Sequence, residues 1–315
     1  MPSSAVHTFS DPESYAASIR GGTVQLAVVG RGRFNAKLTR VHLHRLWMQR
    51  FSENLPRIFE TANLKERVYL TFRTQPGPSL LVSGLELHPT TILRQGHAQE
   101  DHHRSSGLAS FATMSLPIDD LAAVGETMGE VDLTPPPDGS LVTPARSAIA
   151  KLQQLHAAAG SLAEDAPEII AHPDAARGLE QALIEAMVNC LASPEVLGNT
   201  VAQGHHAIVM RRFRRVVEEN PEQPLYIPDI CRAIRVSERT LRMCCQEHLG
   251  MAPKRYLVLR RMHLARRALL EAGPETTSVT AIGTRYGFWE LGRFAVEYQA
   301  LFGEPPSATL RQPPE

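Results

Sequence analysis

Two stretches near the end of the chain combine arginine and glutamate at helical spacing: SERTLRMCCQ at 237–246, which also contains a glutamine, and FWELGRFAVE at 288–297. Such side chains can hydrogen-bond to base edges, and arginine can bond O6 and N7 of guanine together. In the first stretch, Leu241, Cys245 and Leu249 fall on one helical face, which we expect to be buried. The opposite face is then left for a ligand such as nucleic acid. That face carries Glu238, Arg239, Arg242, Met243 and Gln246.

The second stretch has a similar organisation, with a glycine in the predicted helix. Gly292 stands there although glycine costs a helix interior roughly 1 kcal/mol relative to alanine. One explanation is that a ligand or a sugar-phosphate chain approaches this surface closely, and the other is that a neighbouring helix crowds it. The predicted buried residues are Phe294, Tyr298, Leu301 and Phe302. The residues left outside are Trp289, Glu290, Gly292, Arg293, Val296 and Glu297.

Each stretch forms the second helix of a predicted helix-turn-helix. In the first unit a short helix over 228–234 is followed by a break at Arg235–Val236. Ser237 then opens the next helix, because a serine hydroxyl can accept a hydrogen bond from a backbone N–H of the first turn. Two short helices joined by so brief a junction predict a helix-turn-helix.

A second unit repeats this pattern, with a short helix over 278–285, a break at Gly287 and a longer helix from Trp289. Arg242 and Arg293, 51 residues apart, mark an internal repeat of about 50 residues. The sequence KRYLVLRRMHLARRALLEAG between the units predicts a stiff helix with arginine pairs opposite an apolar side. Two such units on one chain can read half-sites about 34 Å apart in successive major grooves. The apolar residues of the spacer are Tyr256, Leu257, Leu264, Leu269 and Leu270.

From about residue 209 to 311 the chain resembles the AraC/XylS family of bacterial transcription regulators. The motifs that carry the resemblance are SERTL and EHLGMAPKRYLVLRRMHLARRALL, followed by VTAIGTRYGFWELGRFAVEYQALFGEPPSATLR. The resemblance implies a seven-helix module with two helix-turn-helix units that binds a specific promoter site, behind an effector-sensing or dimerising domain. The predicted DNA-contacting residues are Ser237, Glu238, Arg239, Thr240, Arg242, Met243, Gln246, Trp289, Gly292, Arg293, Val296 and Glu297.

Two of these positions depart from the family. Arg239, Arg242 and Met243 match positions that the family uses for base contact, but Met243 and Val296 stand where it often has arginine. For Met243 this favours apolar contact with a thymine methyl group, and for the second unit it favours weaker base readout. Exposed arginines that contact only phosphate are the alternative for Arg239 and Arg242.

The composition places this module in a longer, uncharged chain. With 315 residues the protein is long enough for about two domains, and 33 basic residues balance 33 acidic ones. Residues 211–315 hold 17 Lys and Arg against 12 Asp and Glu, and residues 1–210 hold 16 against 21. The basic end is typical of a polyanion binder. We expect a cytoplasmic protein, because the chain shows neither a signal peptide nor a membrane-spanning apolar run.

The first part of the chain predicts a β-rich domain. Short, often alternating apolar segments run from about residue 23 to 132, separated by Gly, Pro and Asn, as in a sandwich or barrel. This part loosely resembles the cupin-like sensor domains of the AraC/XylS family. The predicted fold class is therefore a multidomain α+β protein that ends in an all-α domain. We predict a β-rich sensing domain at 1–133, a linker with amphipathic helices at 134–204, and the DNA-binding domain at 205–315.

The middle segment begins with TPPPDGSLVTP at 134–144, whose composition predicts a linker. Two amphipathic helices follow, one with Ile149, Leu152, Leu155, Ala159 and Leu162 on one face, the other with Leu179, Leu183, Met187 and Leu191. These stripes either pack on the β domain and on each other, or pair with the same helices of a second chain in a homodimer.

Several residues in the first part of the chain are candidates for an effector or metal site. Arg31, Arg33, Lys37, Arg40 and Arg45 gather cations around a glycine-containing turn and are the candidates for an anionic small-molecule effector; a solvated basic edge is the alternative. His42 and His44 have H-x-H spacing, but the glutamate of a metal-binding cupin pattern is missing, so we expect neither a metal nor another cofactor. EDHHR at 100–104 predicts a loop.

The sequence thus predicts a DNA-binding transcription regulator rather than an enzyme, with double-stranded DNA, a small-molecule effector and a second copy as partners. Cys190, Cys231, Cys244 and Cys245 lack the spacing of a zinc site and are expected to be structural. Two alternatives stay open: a cupin-like small-molecule enzyme or a DNA-repair protein joined to the same helices, and an architectural DNA binder without ligand control.

Overall fold

The computed structural model describes residues 1–95, 100–127, 133–134, 139–192, 195–197, 201–220 and 223–312. The chain folds into two compact units. One unit consists of 1–25, 35–54 and 60–199, and the other of 26–34, 55–59 and 200–315. Among the described residues, no helix has the length and apolar character needed to cross a membrane.

The β-rich part consists of antiparallel strands in two sheets. The larger sheet has the order β1-β3-β4-β11-β6-β9-β12-β13 and the smaller β2-β5-β10-β7-β8, so the prediction of a β-rich front part is confirmed. The strands are β1 Ser3–Phe9, β2 Gly22–Val28, β3 Ala36–His42, β4 Trp47–Glu53, β5 Arg57–Asn63, β6 Arg67–Arg73, β7 Leu80–Val82, β8 Leu85–Glu86, β9 Ile92–Arg94, β10 Glu100–Ser105, β11 Ala109–Pro117, β12 Ser140–Thr143 and β13 Glu195–Leu197.

Two segments with polar or loop-like composition are strands. EDHHR lies in β10, paired with β7, and the loop prediction for it is wrong. Asp101 accepts a hydrogen bond from Ser83 Oγ at 3.0 Å, so its polar side chain is buried with a partner. Residues 140–143 of the predicted linker form β12, which pairs with β9 and β13. Residues 135–138 of that linker lie outside the described part of the chain.

The two amphipathic helices use their apolar stripes inside the first unit. Ile149 and Leu152 from one helix and Leu183 and Met187 from the other join the core formed with the larger sheet. Packing within one chain is therefore the observed alternative, and these stripes are not left free for a second copy. The helices of this unit are α1 Pro12–Ser18, α2 Ile118–Thr127, α3 Arg146–Asp165, α4 Pro167–Ala171 and α5 Pro173–Leu191.

A glycine in α3 lets an arginine of the sheet lie against the helix. A Cβ on Gly160 would come within 2.7 Å of Arg50 Cδ, so a larger residue would displace the arginine stem. Arg50 Nη1 donates a hydrogen bond to the carbonyl of His156 at 3.1 Å. His156 is fully buried beside this guanidinium, and burial first and Arg50 second hold its pKa well below the ordinary value. The imidazole is therefore neutral at pH 7.

The described C-terminal part contains seven helices, as the family resemblance implied. They are α6 Val201–Glu218, α7 Ile227–Ile234, α8 Glu238–Leu249, α9 Pro253–Glu271, α10 Val279–Arg285, α11 Leu291–Phe302 and α12 Pro306–Thr309.

Helix α9 is the predicted spacer, and it belongs to two hydrophobic cores. Tyr256 and Leu257 near its start join the core around α6, α7 and α8. Met262 and Leu269 further along join a second core with α10, α11 and α12. Since about four turns of one continuous helix fill both cores, the two helix-turn-helix units are held by a common rigid element.

The titration of a buried histidine in α9 makes the stability of this unit depend on pH. Within the compact unit that contains residues 26–34 and 200–315, His263 Nε2 lies 3.0 Å from the carbonyl oxygen of Val28. Burial, with help from Arg266 and Arg267 and against the bond to Val28, lowers the pKa of His263 to about 4. The ordinary value of 6.5 returns on unfolding, so the unfolded chain binds this proton more readily.

We therefore predict that the free energy of unfolding decreases as the pH falls from about 6.5 towards 4. For this one group the loss reaches roughly 3 kcal/mol across the window. A His263→Gln variant, followed by urea unfolding at several pH values, should show a shallower decrease. His248, whose pKa burial also lowers to about 4, remains in both chains and cancels in the comparison. Equal pH slopes for the two chains would contradict the assignment.

Candidate nucleic-acid interface

The first candidate recognition helix, α8, has the predicted division into a buried and an exposed face. Leu241, Cys245 and Leu249 are completely buried, and Cys244 is buried with them. Ser237 is the N-cap, and its Oγ accepts a hydrogen bond from the backbone N–H of Thr240 at 3.1 Å. The exposed residues are Glu238, Arg239, Arg242, Met243 and Gln246, as expected from the spacing.

Within α8, an ion pair orients one of the exposed arginines. Arg242 Nη2 lies 3.1 Å from Glu238 Oε1, one turn earlier on the same face. Both side chains are more than half exposed, so this pair contributes only a few tenths of a kcal/mol to the helix. The guanidinium can exchange this carboxylate for a guanine edge at little energetic cost.

The second candidate recognition helix, α11, begins two residues later than the sequence predicted. Glu290 is its N-cap without a side-chain hydrogen bond, and Trp289 lies before the helix with 78% of its surface exposed. Phe294, Tyr298 and Leu301 are buried as predicted. The exposed set contains Trp289, Glu290, Gly292, Arg293 and Val296, while Glu297 is partly buried and lies 2.8 Å from Arg293 Nε.

Gly292 is open to its surroundings. It is the second residue of α11, and a Cβ built on it would have no neighbouring atom within 4 Å. Crowding by a neighbouring helix, one of the two explanations above, therefore receives no support from the residues described. Close approach of an external partner to this surface stays a prediction.

The register of the two units differs from the prediction. The buried pairs Leu241 with Phe294 and Cys245 with Tyr298 are each 53 residues apart, not 51. The helix ends agree with this register, since Gly250 and Gly303 are the left-handed C-caps of α8 and α11. Residues of α8 are therefore matched with residues of α11 that lie 53 positions later. This register replaces the match of Arg242 with Arg293. In this register Arg242 matches Ala295, Arg239 matches Gly292, Thr240 matches Arg293, and Met243 matches Val296.

The turn before α11 contains one more residue than the turn before α8, so the helices that follow are 53 residues apart although the left-handed residues of the two turns are 52 apart. Both turns start with a left-handed residue, Arg235 with φ of 58° and Gly287 with φ of 76°. Ser237 caps α8 two residues after Arg235, whereas Glu290 caps α11 three residues after Gly287.

An arginine that the sequence analysis placed on the solvent side of the spacer holds the second turn. Arg261 Nη1 donates a hydrogen bond to the carbonyl of Gly287 at 3.2 Å, and its guanidinium lies 5.2 Å from the centroid of Phe288. Half burial lowers the pKa of Arg261, with Tyr226 acting in the opposite direction. Its helical position offered no signal of this role, because its partners lie 26 and 27 residues away.

A groove of ≈ 710 Å³ lies beside this turn. Lys254 and Arg255 at the start of α9 line it together with Trp289 and Arg293. Cations around an aromatic side chain suit a sugar-phosphate backbone, so the groove and the exposed face of α11 together are a candidate surface.

The cysteines have structural positions. Cys244 and Cys245 are buried, and burial raises their pKa values to about 11 and about 12. Cys190 is likewise buried, with a pKa of about 12. Thiols protonated to this extent are unreactive at pH 7.

Three of the cations proposed for an effector have partners within the chain. Lys37 and Arg40 are three positions apart in β3 and so point to opposite faces of the strand. Lys37 pairs with Glu164 at 2.7 Å, Arg40 donates to the carbonyl of Ser18 at 2.9 Å, and Arg45 lies 3.5 Å from Asp120. Arg31 and Arg33 are exposed. An effector site built from these five residues stays a prediction without structural support.

The two histidines of the H-x-H pattern have different contacts. His42 ends β3 and packs edge-on against Trp47, whereas His44 lies in the following turn, 3.3 Å from the carbonyl oxygen of Pro173. Among the described residues, no three His, Cys, Asp or Glu side chains are grouped in a way that could hold a metal ion.

Comparison with known sequences decides what kind of domain carries this surface. A family model described as "Helix-turn-helix domain" matches residues 230–312. The probable thc operon regulatory protein of Rhodococcus erythropolis is 43% identical over 98 residues, which is 31% of this chain and 30% of that protein. The XylDLEGF operon transcriptional activator of Pseudomonas putida is 36% identical over 121 residues, 38% of each chain.

The C-terminal part of this chain is a helix-turn-helix domain of the AraC/XylS type. The aligned region spans about a third of the length of these curated relatives. Among solved structures, the AraC-like transcriptional activator CuxR has 15% identity and a TM-score of 0.43, over 84% of this chain and 95% of that one.

The open surroundings of Gly292 in this AraC/XylS-type domain predict that one substitution has opposite effects on stability and on DNA affinity. Gly292→Ala should keep or raise the free energy of unfolding, because alanine is the better helix former and meets no neighbour. The gain should be smaller than the roughly 0.5–1 kcal/mol expected in a helix interior, because Gly292 lies in the first turn of α11. The same variant should bind duplex DNA more weakly, because its methyl group holds the helix away from the DNA. Thermal unfolding and fluorescence anisotropy measure the two effects.

Gly178→Ala is the matched control. Gly178 lies in α5, is exposed, and would also have no neighbour within 4 Å of a Cβ. This variant should gain stability without any change in DNA binding. DNA affinity of Gly292→Ala equal to that of the unchanged chain would contradict the close approach.

Proposed function

We propose that this protein is a sequence-specific transcription regulator that binds promoter DNA through its AraC/XylS-type domain. The observation that carries the proposal is the pair of helices α8 and α11, each with one face buried in a core and the other exposed. The exposed faces hold arginines and apolar side chains that suit base edges in a major groove. Helix α9 joins both cores, so one chain can present both helices to the same duplex.

Charge supports duplex DNA as the partner. Residues 211–315 have five more basic than acidic side chains, although the whole chain has a net charge of zero. The groove beside α11 is lined by four basic residues, Lys254, Arg255, Arg261 and Arg293, against two acidic ones, Glu290 and Glu297, and this excess favours attraction to phosphates. The acidic excess lies in the other part of the chain.

For the β-rich unit we propose control by a small-molecule effector, and for the whole chain function as a homodimer and an activator. The named relatives are an operon regulatory protein and an operon transcriptional activator, but the chain aligns with only about a third of each. The relatives are regulators rather than enzymes, which favours regulation over the enzyme alternatives. Since the stripes of α3 and α5 are already buried, a dimer would form through another surface.

The role of Arg242 can be tested by its effect on base preference. Arg242→Ala should weaken binding to a selected duplex by roughly 1–3 kcal/mol and relax the preference at one base pair, because a bidentate contact to guanine is lost. Arg242→Lys is the control: it keeps the charge but lacks the planar pair of donors, so it should retain non-specific affinity and lose the base preference. Unchanged affinity and selectivity of the alanine variant would remove Arg242 from base recognition.

Phosphate engagement makes a separate prediction about salt. For the full chain on a selected duplex, the affinity should fall at least about tenfold between 50 and 200 mM NaCl, because each neutralised phosphate releases counterions. Lys254→Ala should reduce the slope of log affinity against log salt concentration while leaving base preference as it is. An affinity that does not respond to salt would argue against a phosphate-binding surface.

A further inference from the structure

The structural register of the two units places an exposed apolar side chain at the same position of each recognition helix. Met243 is the sixth residue of α8 and Val296 the sixth residue of α11. They are 48% and 69% exposed, in contrast to the neighbouring pairs Leu241 with Phe294 and Cys245 with Tyr298, which are buried. The register that pairs the buried residues of the two helices therefore also pairs the exposed residues Met243 and Val296.

The stability of the domain does not explain the valine at position 296. Val296 has most of its surface exposed, so it contributes little to the core beside it. Valine is also a poorer helix former than alanine or arginine, because its branched side chain loses rotamer freedom in a helix. The same stiffness helps recognition, because a side chain that is already held in one rotamer loses little entropy on contact.

We infer that Met243 and Val296 each contact a thymine methyl group in the major groove, so that the operator has a thymine at the corresponding position of each half-site. This inference rests on the proposed function. The thymine methyl group is the apolar feature that the major groove offers, and apolar side chains recognise it by contact. With the two helices in successive grooves, the two thymines lie about 10 base pairs apart.

The neighbouring residues give the two half-sites different chemistry. In α8 the apolar residue follows Arg242 and is one turn from Arg239, so hydrogen bonds and a methyl contact act together. In α11 the counterparts of those arginines are Ala295 and Gly292, and Arg293 is the counterpart of Thr240. The second half-site is therefore read mainly through contact with the methyl group and the shape of the groove.

Replacing thymidine by deoxyuridine tests this inference, because it removes one methyl group and keeps every hydrogen-bonding atom of the base. The full-length chain is first used to select a duplex from random oligonucleotides. Each thymidine of the selected duplex is then replaced singly, and affinity is measured by fluorescence anisotropy. We expect two sensitive positions about 10 base pairs apart, each with a loss of roughly three- to fivefold.

Two variants assign the sensitive positions to side chains. Met243→Ala should bind the unmodified duplex more weakly and no longer distinguish deoxyuridine from thymidine at one position, and Val296→Ala should do the same at the other. Ile208→Ala is the control: Ile208 is an exposed apolar residue of α6, outside both recognition helices, and its variant should keep both sensitivities. Circular dichroism checks that the variants fold.

The outcomes separate this inference from the function on which it rests. If no duplex is selected, the proposed function fails, and the inference fails with it. If a duplex is selected but deoxyuridine is tolerated at every position, the methyl contacts are wrong while the DNA-binding function stands. Sensitivities that persist unchanged in both alanine variants would also overturn the inference, because other residues would then contact the methyl groups.

Discussion

The arrangement of the DNA-binding domain depends on one packing constraint, the sharing of α9 between two hydrophobic cores. Tyr256 and Leu257 fill the core of the first unit, and Met262 and Leu269 fill that of the second. Close-packed cores resist relative movement of the elements that form them. A rotation of one helix-turn-helix against the other would therefore open one of these cores, and the spacing of α8 and α11 follows from that cost.

A second layer of contacts connects this frame to the recognition surface. Arg261 projects from α9 to the carbonyl of Gly287, in the turn that leads to α11. The left-handed conformation at Gly287 aims that carbonyl, and the aromatic ring of Phe288 lies under the guanidinium. In the first unit the junction is shorter, and the serine cap of α8 starts the helix directly. The two recognition helices thus have different N-terminal contacts, and both are supported by α9.

The β-rich unit is stabilised by packing of its helices on a sheet and by ion pairs. Its amphipathic helices cover one sheet, and an arginine of β4 enters the surface of α3 at Gly160. Several cations that looked available in the sequence are engaged, among them Lys37 with Glu164 and Arg45 with Asp120. A sensing function of this unit would therefore depend on groups other than an obvious cluster of free cations.

Local patterns in the sequence were sufficient for the helical domain. Leu241, Cys245 and Leu249 were predicted to be buried and are buried, because helical periodicity depends only on spacing along one chain. The capping role of Ser237 is likewise local, since a serine hydroxyl reaches the N–H groups three residues ahead. The same reasoning failed for EDHHR, because a polar strand can be buried only if partners elsewhere in the chain satisfy it.

What the sequence by itself determined was the identity of the elements: a β-rich front part, amphipathic helices and a repeated helix-turn-helix with one polar face per recognition helix. The 53-residue register is also contained in the sequence, because the buried residues predicted for the two helices, Leu241 with Phe294 and Cys245 with Tyr298, already have that spacing. Tertiary structure alone decided which distant groups surround these elements. The inward position of Arg261 and the open surroundings of Gly292 depend on which distant atoms are near, and spacing along the chain does not contain that information.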